Sequence, residues 1–120
     1  MVLVDTSIWI AHLRFGNPPL EALLSDAQVM CHPFIIGELA CGNLKNRKEI
    51  LTLFQSLPSA PVADPDDLLY FIERNALWGK GLGFVDAHLL ASAQLMGVPL
   101  WTSDNLLKKS AVKLKLSYSR

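Results

Sequence analysis

The run Val2-Leu3-Val4 ends abruptly at Asp5-Thr6-Ser7. Three consecutive apolar residues show no in–out alternation, so both faces of such a strand are covered, as in a parallel sheet with helices on either side. Asp5, Thr6 and Ser7 are all N-cap types, and Ile8-Trp9-Ile10 with Leu13 has helical spacing. A buried strand that passes directly into a helix, repeated along the chain, restricts the fold to the α/β class.

The repetition is visible. Gly16-Asn17-Pro18-Pro19 breaks the first helix, and Leu20, Leu23 and Leu24 recur at helical spacing. Residues 28–31 read as a second short strand. Pro33 suits a helix start, with Ile35, Ile36, Leu39 and Ala40 as the apolar face and Gly42 near the end. A further amphipathic helix is expected over 43–55, turning Ile50, Leu51, Leu53 and Phe54 inward. Residues 57–62 hold Pro58 and Pro61, so they form at most an edge strand or an extended connector. Asp64-Pro65-Asp66 opens a helix carrying Leu68, Leu69, Phe71, Ile72 and Leu77, and Gly79, Gly81 and Gly83 mark the loop after it. A buried helix over 84–96 closes on Gly97, 98–102 is a second buried strand, and Ser103-Asp104-Asn105 caps a last helix through about Val112. Residues 114–118 read as a final strand.

With 120 residues this is one domain, 1–120. The hydrophobic share of 51% and charged share of 18% exclude a disordered chain. The formal net charge of zero excludes nucleic-acid binding by bulk positive charge alone. So large an apolar fraction in so small a domain implies that a partner covers part of the surface. Cys31 and Cys41 lack metal or disulfide spacing and are expected to be small buried residues of a reducing compartment. No stretch approaches the roughly 20 apolar residues that span a bilayer, and no secretion signal precedes Asp5. A cytoplasmic protein is therefore expected.

The carboxylates carry the chemistry. Asp5 ends the first buried strand, and Asp104 follows the 98–102 strand. Open parallel sheets bind ligands beyond the carboxyl ends of their strands. Glu38 in Phe34-Ile35-Ile36-Gly37-Glu38-Leu39-Ala40 and Asp86 in Phe84-Val85-Asp86-Ala87-His88 sit in apolar surroundings. Neither has a Lys or Arg within four residues on its own helix, so no local ion pair explains it. Burying an unpaired carboxylate costs several kcal/mol. A hard divalent cation, Mg²⁺ or Mn²⁺, resolves the repulsion among four gathered acids and prefers oxygen ligands. Each acid also has a purely structural alternative. Asp5 and Asp104 are potential caps, Asp86 complements a helix dipole, and Glu38 could pair with a distant Lys.

Val4-Asp5-Thr6-Ser7-Ile8-Trp9, Glu38 in its mid-chain helix, Phe84-Val85-Asp86-Ala87-His88-Leu89-Leu90-Ala91, and Thr102-Ser103-Asp104, in this order and spacing, resemble the PIN domain family. Length and architecture are similar to its VapC toxins, the ribonuclease half of type II toxin–antitoxin pairs. The resemblance covers essentially the whole chain. It implies a three-layer α/β/α fold with a small central parallel sheet flanked by helices. It also implies an acidic metal-binding and catalytic quartet at Asp5, Glu38, Asp86 and Asp104. Ser7 and Thr102 match the hydroxyl positions that orient those carboxylates or their waters. The implied activity is Mg²⁺- or Mn²⁺-dependent hydrolysis of RNA phosphodiester bonds by a homodimer held inactive by a cognate antitoxin. Many relatives carry a further acidic residue after Thr-x-Asp. Here Asn105, Leu106 and Leu107 follow, so the fourth corner rests on Asp104 alone, and one or two ions both stay open.

Setting the quartet aside leaves seven of the eleven acidic residues against eleven basic ones. Lys45, Arg47 and Lys48 cluster after the Glu38 helix, and Lys108, Lys109, Lys113, Lys115 and Arg120 lie in a tail without one Asp or Glu. Lys45, Arg47, Lys48, Lys80, Lys108 and Lys109 are the candidates for holding RNA phosphates, against the alternative of an ordinary solvated face. His88 lies two residues after Asp86, roughly opposite it on a helix, which makes it structural or partner-facing. His12 and His32 have no partner at metal spacing. Cys41 shares the helix face of Glu38, with core packing the favoured role. Trp9, Trp78 and Trp101 belong in the core or an interface rather than on bases.

Two other enzyme classes fit less well. A receiver domain needs a phosphate-accepting Asp at a central strand end, and the connector over 57–62 has none. A haloacid-dehalogenase-type phosphatase needs DxD, which Asp5-Thr6-Ser7 does not supply. A non-catalytic PIN-like module whose acidic pocket receives a basic peptide stays open.

Overall fold

The computed structural model describes residues 1–119. Its middle strand is β1 (Val2–Val4), all three residues buried, with β2 (Val29–Met30) on one side and β3 (Leu100–Trp101) on the other. Both pairings are parallel. Leu3 lies opposite Met30 and Leu100, and Val4 opposite Trp101. Two single bridges widen the sheet, Cys31 with Ser59 and Leu100 with Ser117. The Pro-containing connector thus pairs at the edge for one residue, as Pro58 and Pro61 permit. The strand expected over 114–118 shrinks to the bridge at Ser117. The last helix runs on to Lys113, and Lys115 turns through a left-handed φ of 61° before the chain reaches β3.

Among the described residues, seven helices flank the sheet: α1 (Thr6–Phe15), α2 (Pro18–Ser25), α3 (Pro33–Cys41), α4 (Arg47–Ser56), α5 (Pro65–Arg74), α6 (Phe84–Met96) and α7 (Asn105–Lys113). This small parallel sheet flanked by helices is the α/β architecture that the resemblance implied. Pro18 and Pro19 break α1 and also start α2, where their missing N–H groups are harmless and Asn17 Oδ1 accepts the N–H of Leu20 at 3.1 Å. The helix expected from residue 43 begins only at Arg47, because Asn46 is left-handed at φ 51° and a right-handed helix does not propagate through it. Of its expected inward residues, Phe54 is buried against Trp9 (ring centroids 4.6 Å apart), while Leu53 is 57% exposed. Leu69 of α5 is likewise exposed.

The most enclosed helix is α6. Ala87 through Ala93 are all buried, although Phe84, Leu95 and Met96 at its ends are exposed. It stops at Gly97, whose φ of 66° is costly for a side-chain-bearing residue. Leu3, Leu20, Ile35, Leu68, Leu89, Leu90, Leu100 and Leu107 are fully buried, each contributing about 1.5–3 kcal/mol by removal from water. This core fixes the sheet, and the sheet fixes where its carboxyl ends deliver polar residues.

Candidate active site

All three strands end on the same side. Asp5 directly follows β1, Thr102 directly follows β3, and Asp104 opens α7. The Asp5 N–H donates to Trp101 O at 2.9 Å, so the two strand ends are tied at the point where the acids emerge.

Asp5 is buried, and its Oδ2 accepts two hydroxyls, Thr102 Oγ1 at 2.7 Å and Ser7 Oγ at 3.0 Å. Each hydroxyl oxygen accepts a main-chain N–H in turn, Asp104 N at Thr102 and Ser103 N at Ser7. Those N–H donors leave the hydroxyl protons to point at Asp5. The carboxylate is therefore clamped by charge-assisted bonds. Asp5 stands at the N-cap of α1 but makes no side-chain cap bond, so capping does not account for it.

Asp104 does cap. Its Oδ1 accepts the N–H groups of Leu106 and Leu107, both at 3.0 Å. Asp86, in the first turn of α6, accepts the N–H of Gly83 at 2.9 Å on Oδ2. Glu38 takes the Thr6 hydroxyl at 2.7 Å on Oε1, not a distant Lys. The burial expected of these acids needs correction. Asp5 is buried and Asp86 half-buried, but Glu38 and Asp104 are exposed, because α3 and α7 present them at the rim.

The other three act on Asp86. Burial pushes the Asp86 carboxyl above its ordinary value, the Gly83 N–H pulls it back, and the charges of Asp5, Asp104 and Glu38 push it further up. Among the described residues, every charge that acts on Asp86 is thus another carboxylate. No group of three or more acidic, imidazole or thiol side chains among the described residues is placed close enough to hold a metal ion. Each acid keeps one oxygen on a protein donor. The donor set nonetheless fits a hard cation. It is oxygen only, and Mg²⁺ takes one or two carboxylates directly while keeping several waters.

The basic candidates divide. Lys45 lines a groove of about 730 Å³ together with Glu38, Arg14, Ile10, Leu13 and Phe15. Arg47 donates to Gly42 O at 3.2 Å and so closes the α3–α4 loop. Lys48 and Lys108 are exposed on α4 and α7. Lys80 reaches Lys113 and lies near Lys109. Arg120 lies outside the described residues.

Cys31 is buried, its thiol pushed up to about 11 by burial, which makes it a packing residue. Cys41 is exposed, contrary to the core role expected for it, since α3 ends there at the surface. His88 is buried between Phe34 and Phe84, at ring-centroid distances of 4.7 and 4.5 Å. Trp9 is buried, Trp101 packs on Tyr118, and Trp78 is exposed.

Two contributions escaped the sequence reading. Thr6 holds Glu38, and His32 caps α3. His32 Nδ1 accepts the N–H of Phe34 at 3.0 Å, which puts its proton on Nε2, facing Ser92 Oγ at 3.1 Å. Ser92 passes its own proton to Pro61 O at 2.7 Å. A His directly before Pro33 was the signal available for the cap.

Residues 2–113 match the PIN domain family. Two relatives share 46% identity with the chain over 114 residues, which is 94% of this chain and 92% of theirs. Both carry the name Ribonuclease VapC32, one from Mycobacterium tuberculosis strain CDC 1551 / Oshkosh and one from strain ATCC 25618 / H37Rv.

Proposed function

The chain is a VapC-type member of the PIN domain family, and from that premise we propose that it is a metal-dependent endoribonuclease toxin neutralised by a cognate antitoxin. The observation that carries the metal dependence is Asp86. Its carboxyl is raised by burial and by three further acids, with no cation among the described residues acting on it. Such a centre needs positive charge from outside.

Asp5, Asp86, Glu38 and Asp104 would hold Mg²⁺ or Mn²⁺, in part through water. When bound, the ion supplies Lewis-acid chemistry and charge stabilisation to an RNA phosphodiester. The residues of the chain set its position. Ser7 and Thr102 fix the Asp5 carboxylate in one orientation, and their own orientation is fixed by the Ser103 and Asp104 N–H groups. Thr6 and Gly83 do the same for Glu38 and Asp86.

The exposed Phe15, Ile10 and Leu13 beside Glu38 support an antitoxin covering this face of so apolar a chain. An antitoxin segment with a basic residue facing the acids would compete with the ion. Among the described residues, no helix is long and apolar enough to cross a membrane. The protein acts in the cytoplasm, as a homodimer.

Purified chain is incubated with labelled RNA in Mg²⁺, in Mn²⁺ and in chelator. Cleavage in the metal arms alone, lost in Asp5→Asn with its circular dichroism unchanged, is the expected result. Cleavage in chelator, or full cleavage by Asp5→Asn, overturns the proposal. RNA left intact in every arm, with tight binding of a basic peptide, identifies a binding module instead.

A further inference from the structure

Leu106, Lys109 and Lys113 recur at i, i+3 and i+7 along α7 and therefore share one face of that helix. The loop before α6 lies on this face. A Cβ at Gly81 would stand 2.7 Å from Leu106 Cδ1, so the loop backbone rests directly on that side chain. Gly79 and Gly81, at φ 68° and 74°, bend the chain on either side of Lys80 and set it down beside the helix. Three ammonium groups from two separate segments are thereby brought together. Lys113 first, and then Lys109, hold the Lys80 amine below its ordinary value, because their like charges stand close to it. From Asn105 to Ser119 there is no Asp or Glu to neutralise them. Like charges held this close are unfavourable until an anion lies among them.

The cluster is tied to the acidic centre, since α7 opens on Asp104. At 1.5 Å per residue, Lys109 lies roughly 7 Å and Lys113 roughly 13 Å along the helix from that carboxylate. The positive charges thus form a row leading away from the acids, the shape needed by a chain of phosphates rather than by a single one.

We propose that Lys80, Lys109 and Lys113 form a seat for the RNA backbone phosphates that flank the bond being cut. The proposal rests on the ribonuclease reading and adds to it the path of the strand. Lys113 joins the candidates, and Lys108, one position and about 100° round the helix from Lys109, leaves the cluster.

The test compares wild type with Lys80→Gln/Lys109→Gln/Lys113→Gln and with the matching triple Arg variant. Binding of a fluorescent single-stranded RNA of about 20 nucleotides is measured in Ca²⁺ across a salt series, and cleavage is measured in Mg²⁺. Single strands lose about 0.7 of a unit in log–log salt slope per neutralised phosphate, so the Gln variant should lose about 2 units. Between 50 and 200 mM salt, wild-type affinity then falls roughly 20-fold more than that of the variant. KM should rise with kcat little changed, and Arg should restore both slope and KM. An unchanged slope and KM in the Gln variant overturns the proposal while leaving the nuclease intact. Equal protection by a mononucleotide at matched phosphate concentration also overturns it, in favour of a free-phosphate site. Wild-type protein that neither binds nor cleaves RNA overturns the underlying reading.

Discussion

The Thr102 hydroxyl donates to Asp5 Oδ2 at 2.7 Å across 97 residues of sequence, and accepts the Asp104 N–H at 3.0 Å. One side chain therefore links the acid that ends β1 to the turn that begins α7. Thr102→Val removes both bonds at a buried position and should lower stability by about 1–3 kcal/mol. Thr102→Ser keeps the hydroxyl and should lose much less. Urea denaturation reads the stability, and RNA cleavage should fall in the Val variant and recover in the Ser variant. Full cleavage by Thr102→Val would show that the orientation of Asp5 does not depend on this bond.

Asp86 opposes folding once it ionises. Its folded pKa lies above the ordinary 3.8, so its contribution is most favourable below that pH and is lost as pH rises through the raised value. Asp86→Asn still offers an oxygen to the Gly83 N–H while removing the charge. In chelator at pH 7 the variant should melt higher than wild type, and the gap should close toward pH 4. It should also be inactive on RNA, the trade-off expected where a site holds destabilising charge for its chemistry. Equal melting temperatures at pH 7 would remove the case for a strained acidic centre.

His32 works in the opposite direction. Burial lowers its pKa from 6.5 to about 4, with the neighbouring His88 charge adding to the effect. A depressed folded pKa gives stability that is complete above pH 6.5 and lost progressively as pH falls toward 4. The difference corresponds to about 3 kcal/mol over that window. Protonating Nδ1 also removes the acceptor that caps the Phe34 N–H. His32→Asn, another residue able to cap, should flatten the acid limb of a urea-stability profile recorded between pH 7 and 4. A profile as steep as wild type would assign the acid sensitivity to other groups.

The sequence was most readable where one residue type does one job. Val2-Leu3-Val4 announces a central strand, and Pro33 and Gly97 mark helix ends that the structure keeps. It was least readable where identity does not decide exposure. Leu53 and Leu69 sit at helical spacing beside buried neighbours, yet face outward, because only packing against a particular neighbour settles which side of a wide apolar face is covered. Glu38 was placed correctly on α3, but its apolar flanks suggested a burial that the rim of the site does not provide. Asp104 does capping work that does not conflict with a role at the acidic centre, since the cap uses one oxygen. The Thr6–Glu38 and Lys80–Lys113 contacts join segments that no local pattern connects, so neither was visible before the chain was folded.

Glu38 offers the cleanest separation of charge from structure. It is exposed, and its tie to Thr6 needs only an oxygen acceptor, which Gln supplies. Glu38→Gln should therefore change stability by no more than about 0.5 kcal/mol, the range of ordinary surface substitutions. Its charge, however, is one of three that push Asp86 upward, so its removal should lower the Asp86 pKa in a carboxyl-resolved NMR titration without metal. In Mg²⁺ the same substitution should weaken metal-induced thermal stabilisation. That stabilisation reaches about 2.7 kcal/mol when the ion is at 100 times its Kd, and it should shrink as the Kd rises. A shift in the Asp86 titration with no loss of Mg²⁺ stabilisation would place Glu38 in the field of the site but outside the hold on the ion. The reverse pattern would place it on the ion without coupling to Asp86, and the field at Asp86 would have to be assigned to Asp5 and Asp104 alone.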